Sequence, residues 1–141
     1  MIKVAISGGF DPLHVGHIKY IQNAIALGDH LIVILNGDSF LMRKKGFIFM
    51  PAEERVEIIR AIRGVDEVCL FNSEKDDVCD ALAMFKPNIF AKGGDRTGPE
   101  NIPEWDFCQK NHIDVVVGVG GGKIQSSQWL TKSIELKEKN K

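Results

Sequence analysis

Long apolar runs are missing from this 141-residue sequence; no stretch approaches the roughly 20 apolar residues a membrane-spanning helix needs. The opening MIKVAIS is too short and too regularly patterned for a signal peptide. Cysteine is scarce. Cys69, Cys79 and Cys108 are odd in number, far apart and without a C-x-x-C pair, so they read as buried thiols in a reducing cytosol rather than a disulfide framework or zinc site. Excess charge is missing too: a net charge of −1 gives no overall pull towards nucleic acid or an anionic membrane, so any anion site must be local. Aromatics make up 8% of the chain and do not interleave with a basic stripe, which disfavours RNA binding. There is no internal repeat, low-complexity tract or linker, and the length suits one domain over residues 1–141.

What is present is an alternation. IKVAIS (2–7), HLIVILN (30–36), DEVCLF (66–71), NIFAK (88–92) and IDVVVGV (113–119) read as strands. Between them, Ile18, Ile21, Ala24, Ile25 and Leu27 fall at helical spacing. Residues 37–50 read as a loop or short helix with adjacent cations. Pro51 opens a helix with Glu53 and Glu54 in its first turn and Val56, Ile59 and Ile62 as its buried stripe. Helices are also expected over 77–86, 103–111 and from Ser126 to about Glu138. The pattern predicts an α/β fold: a Rossmann-like, doubly wound, five-stranded parallel sheet of order 3-2-1-4-5. Such sheets bind ligands beyond the carboxyl ends of their strands, where the order reverses.

Three loops after strands are glycine-rich: SGGFDP, KGGDRTGP and GVGGGK. Gly8 and Gly9 follow the first strand directly, and backbone without Cβ can approach a ligand closely. His14 and His17 are three apart, hence on one face of a helix's first turn, with Gly16 between them leaving room for something bulky. Free N–H groups at that helix start and two imidazoles would form a small anion site. The histidine pair has no obvious third ligand for zinc. No G-x-G-x-x-G follows the first strand, and GVGGGKIQ fails as a P-loop because Ile124 stands where Ser or Thr would bind magnesium.

The stretch GGFDPLHVGH resembles the G-x-F-D-x-x-H-x-G-H signature of the cytidylyltransferase-like nucleotidyltransferases. FMPAEERVEIIRAIRGVDEV resembles the helix and third strand of that family, FAKGGDR the fourth-strand loop of its heptose-phosphate adenylyltransferases, and GKIQSSQWL its last motif. The resemblance covers nearly the whole chain. It implies transfer of CMP or AMP from a nucleoside triphosphate to a phosphorylated small molecule, with loss of pyrophosphate. Such a reaction is an in-line displacement whose catalysis is positioning and charge stabilisation. A phosphate monoester is largely dianionic near pH 7, with a second pKa of about 6, so the nucleophile needs no general base.

By the same resemblance His14, His17 and Lys44 would be catalytic, the imidazoles meeting the α- and β-phosphates. Gly8, Gly9, Phe10, Asp11, Gly94, Asp95, Lys123, Ser126 and Ser127 would bind the nucleotide. Asp95 suits ribose or base, and the two serines suit the outer phosphates, with Lys123 replacing an arginine found in the glycerol-phosphate branch. Arg55 and Lys45 would meet the acceptor phosphate. Magnesium is expected to arrive with the triphosphate, not on protein side chains; Asp11 is the only nearby acidic candidate. A homodimer in the cytoplasm is implied. CTP and ATP stay open: the glycerol-phosphate likeness favours CTP, and KGGDR favours ATP. Pantetheine-phosphate and flavin-mononucleotide adenylyltransferases fit the KGGD loop poorly. The alternative from another class is a non-catalytic nucleotide-binding or regulatory module, against which the intact His14 and His17 argue.

Overall fold

A computed structural model describes residues 1–94 and 96–120. Its strands are β1 (Lys3–Gly8), β2 (His30–Asn36), β3 (Glu67–Phe71), β4 (Ile89–Ala91) and β5 (Asp114–Val116). All pair in parallel, in the order β3-β2-β1-β4-β5. The helices are α1 (Val15–Ile25), α2 (Asp38–Lys45), α3 (Ala52–Arg60), α4 (Cys79–Phe85) and α5 (Trp105–Lys110). No helix among the described residues is long and apolar enough to cross a membrane. Asp95, Lys123, Ser126, Ser127 and the expected last helix lie outside the described residues.

Successive side chains of a strand point to opposite faces, and this splits the core in two. Val4, Ile6, Leu31, Val33 and Leu35 pack with Ile21 and Ala24 of α1 and Ile59 of α3. Ala5, Ile32, Ile34 and Phe90 pack on the other face with Ala81 and Leu82 of α4 and Cys108 of α5. Strands covered on both faces lose the polar alternation, which is why HLIVILN is an apolar run.

The chain winds from β1 through α1 to β2, then returns after β3 through α4 to β4 on the far side of β1. The order therefore reverses between β1 and β4, and a crevice opens above their carboxyl ends.

Of the loop or short helix expected over 37–50, the helix is what forms, and two expectations about α3 are corrected. Residues 38–45 are a helix, closed by Gly46 at φ +82°, a left-handed position that suits a residue without Cβ. Pro51 is the N-cap of α3, not its first helical residue. The buried stripe of α3 is Ala52, Arg55 and Ile59; Val56 and Ile62 only pack partly against the core. The Arg55 guanidinium turns inward on a face expected to consist of Val56, Ile59 and Ile62, because polar acceptors converge on it.

Candidate active site

A cavity of about 710 Å³ sits above the ends of β1 and β4. Gly8 and Gly9 line it from the end of β1 and the loop after it, His14 and His17 from the start of α1, Lys44 and Lys45 from the end of α2, and Lys92, Gly94 and Arg96 from the loop after β4.

The two histidines are held by the helix they begin. His14 is the N-cap of α1, and its Nδ1 accepts the Gly16 N–H at 3.1 Å. His17, at the third helical position, accepts the His14 N–H on its own Nδ1 at 3.2 Å. This reciprocal pattern is a capping box in which imidazoles replace the usual Ser and Glu. It also sets the tautomer. A ring nitrogen that accepts cannot carry a proton, so each neutral ring carries its N–H on Nε2. The rings stack at 3.9 Å between centroids. Two N–H donors are thus fixed side by side on the cavity wall, ready for an anion's oxygens.

Gly16 is explained differently from the sequence expectation. A Cβ there would stand 2.8 Å from Cε1 and 3.0 Å from Nδ1 of His14. The room it leaves is filled by the His14 ring itself, not by a ligand. Gly16→Ala should swing that ring out and break its cap, costing about 1 kcal/mol of stability. Turnover should drop on the order of tenfold to a hundredfold, because a misplaced donor forfeits orientation. A denaturation curve and a rate measurement check both.

Burial, then the neighbouring His14 and Lys45, push the His17 imidazole down from 6.5 to about 4. Below the unfolded value the unfolded chain binds the extra proton first, so stability should fall as pH drops from 6.5 towards about 4. Over that window the free enzyme keeps His17 neutral. A profile of kcat/KM against pH should therefore show no loss assignable to His17 until pH nears 4.

Phe10 lies beneath this pair. Expected among the nucleotide contacts, it is only 3% exposed, at φ +50°, with its ring edge-on to His17 at 5.1 Å and stacked on Tyr20 at 6.4 Å. It supports the histidine more than it faces the cavity. Asp11 is likewise committed: its carboxylate accepts the Phe49 N–H at 2.7 Å and the Met50 N–H at 2.5 Å. It pins the segment between α2 and α3. Among the described residues no group of three or more His, Cys, Asp or Glu side chains could hold a metal ion.

The lysine pair divides. Lys45 donates to the Asp11 carbonyl at 2.7 Å and sits 5.0 Å over the Phe47 ring. Lys44 lies 5.9 Å over the Phe40 ring and makes no hydrogen bond to the described residues. Lys44 is the cation with freedom to reach a ligand.

Arg55 is not where an acceptor phosphate could meet it. The side chain is fully buried. Its Nε donates to the Met50 carbonyl, Nη1 to the Gly9 and Asn36 carbonyls, and Nη2 to Asp38 at 2.6 Å. It ties the β1 loop, the end of β2, the start of α2 and the α2–α3 segment into one frame.

Lys92 and Arg96, which flank Asp95 in the KGGDR stretch and from sequence merit only a secondary role, line the cavity, as does Glu104, which sequence reasoning overlooked. Lys92 is half-buried, donates from Nζ to Ser7 Oγ at 3.3 Å and lies 5.1 Å from the centre of the Phe90 ring. Burial holds its ammonium below the usual lysine value, while Glu104 pulls the other way. The signal for Lys92 was its place at the end of an apolar strand; Glu104, before a short helix, had none. Gly94, at φ +62°, has open space where a Cβ would stand, so its backbone conformation and not crowding is what favours glycine.

The cytidylyltransferase-like family model matches residues 5–129. The bifunctional protein HldE of Trichlorobacter lovleyi is 43% identical over 122 residues, which is 84% of this chain and 24% of that protein. FAD synthase of Pyrococcus abyssi is 41% identical over 97 residues, 67% of this chain and 64% of that one. The chain thus spans about a quarter of the HldE length. Among solved structures, the lipopolysaccharide core biosynthesis protein from Thermoplasma volcanium superposes with a TM-score of 0.69 at 31% identity, over 84% of this chain and 94% of that one. With the family match spanning most of the chain over this sheet and crevice, the chain belongs to the cytidylyltransferase-like family of nucleotidyltransferases.

Proposed function

We propose that this chain transfers a nucleoside monophosphate, AMP or CMP, from its triphosphate to a phosphorylated sugar or polyol, releasing pyrophosphate. The observation that carries the reading is the paired Nε2–H donors of His14 and His17, held by a capping box beside the Gly8–Gly9 turn. The acceptor phosphate attacks the α-phosphorus. Its own negative charge makes it nucleophilic, so no side chain need take a proton. His14 and His17 donate to the α- and β-phosphate oxygens, and their bonds strengthen as charge moves to the leaving pyrophosphate. Lys44, on the same cavity, adds a cation that makes no hydrogen bond to the described residues. A magnesium ion, bound through triphosphate oxygens, supplies further charge neutralisation; Asp11 is not its ligand in this reading. Lys123, Ser126 and Ser127 would hold the outer phosphates, and Asp95 the ribose or base. A homodimer in the cytoplasm belongs to the same reading.

The likeness to FAD synthase and the KGGDR loop both lean towards ATP. A flavin acceptor is the second reading, favoured by the 41% identity to that enzyme. A screen for pyrophosphate release should pair four nucleoside triphosphates with sugar phosphates, glycerol 3-phosphate and flavin mononucleotide. One strongly preferred pair with a sugar or polyol phosphate is the expected result. Preference for flavin mononucleotide favours the second reading. No release from any pair, with nucleotide still bound, favours a non-catalytic module.

A further inference from the structure

Glu104 immediately precedes α5 and lines the cavity from the β4 side. It is 4% exposed. Its Oε2 accepts the Val78 N–H at 3.0 Å, which fixes the carboxylate's orientation. Its Oε1 is buried without a hydrogen-bond partner. Asn36, at the end of β2 and on the same cavity, has an Oδ1 in the same state. An unpartnered buried acceptor is costly, and a charged one more so, which is why such atoms call for an explanation.

Four ligand chemistries can be compared for the unpartnered Glu104 oxygen. A phosphate is repelled by the carboxylate. A metal ion lacks companions, since no three-ligand group exists among the described residues. An organic cation would meet Lys92 and Arg96 on the same side of the cavity. A neutral hydroxyl satisfies the oxygen without adding charge.

We infer that Glu104 is a specificity residue whose Oε1 accepts a hydrogen bond from a substrate hydroxyl in the cavity. The inference rests on the nucleotidyltransferase reading for the identity of the substrates. That hydroxyl belongs either to the nucleotide's ribose or to a polyhydroxylated acceptor, and the chemistry is the same in both. Lys92 makes no ion pair with Glu104 among the described residues, but its charge offsets that of the buried carboxylate while leaving Oε1 without a partner.

The test compares wild type with Glu104→Gln in equilibrium binding. Glutamine can keep the Val78 bond through its carbonyl oxygen and places an NH₂ donor where Oε1 stood. The probes are ATP and CTP against their 2′-deoxy and 3′-deoxy forms, and glycerol 3-phosphate against propyl phosphate. Wild type should prefer one hydroxylated probe over its deoxy partner by about 10- to 100-fold, the range for hydrogen bonds to charged groups. Glu104→Gln should cut that preference to a few-fold, since at most a neutral bond from its NH₂ to the hydroxyl replaces one to a charged acceptor, while binding the deoxy probe much as wild type does. The arm that responds says whether ribose or acceptor is read. A variant that weakens hydroxylated and deoxy probes equally, one that keeps the preference, or a wild type without any preference overturns the inference. Pyrophosphate release is followed in parallel. Hydroxyl-dependent binding without turnover would sink the reaction and leave Glu104's role standing. Turnover with unchanged hydroxyl preference in the variant would do the reverse.

Discussion

His17→Gln should lower the rate of pyrophosphate release by about 10²- to 10³-fold, the usual consequence of losing one fixed donor to a developing negative charge. Glutamine is the informative choice because it suits the third position of a capping box and can still accept the His14 N–H. The helix start is then preserved, with a thermal midpoint close to wild type. What disappears is a rigid Nε2–H at the position the imidazole held. His14→Asn makes the matching test, since asparagine is among the best N-cap residues and can accept the Gly16 N–H. His17→Ala removes donor and cap together and adds about 1 kcal/mol of instability. If His17→Gln loses stability but keeps turnover, the pair is a helix cap and not part of the chemistry.

Arg55→Ala should cost about 3–5 kcal/mol in a urea denaturation curve, the range for breaking a buried charge pair by removing one partner. Asp38 is partly exposed and can take up water, so its share is the smaller one. The carbonyls of Gly9, Asn36 and Met50 cannot all do so, and each loses a charge-assisted donor. Arg55→Lys should rescue little, because a compact ammonium cannot span acceptors that approach a guanidinium from several directions. Turnover of the folded fraction should fall as well, since Gly9 and Asn36 line the cavity. A variant with unimpaired stability and a raised KM for the phosphorylated acceptor alone would instead restore Arg55 to acceptor binding.

The same residue shows where the sequence was readable and where it was not. HLIVILN announced β2 because a central parallel strand is apolar on both faces. GGFDPLHVGH announced the first loop because turn, cap and imidazoles are encoded within a few residues. Arg55 was expected at the acceptor phosphate, because the groups that bury it come from Gly9, Asn36, Asp38 and Met50. Local periodicity carries no trace of that convergence. Helix α2 was ambiguous for a related reason: only Phe40 and Leu41 are buried in an otherwise polar stretch, so its apolar face is too narrow to show a period. Glu104 was silent because the group that fixes its carboxylate, the Val78 N–H, comes from 26 residues earlier in the chain.

The central claim is that this crevice receives the triphosphate on the Nε2–H groups of His14 and His17. Nitrogen-15 NMR of the four imidazoles, during titration with a non-hydrolysable triphosphate analogue, addresses it directly. The account predicts that the Nε2 resonances of His14 and His17 move together on saturation while those of His30 and His112 stay in place. Saturable binding that leaves His14 and His17 unmoved would contradict it.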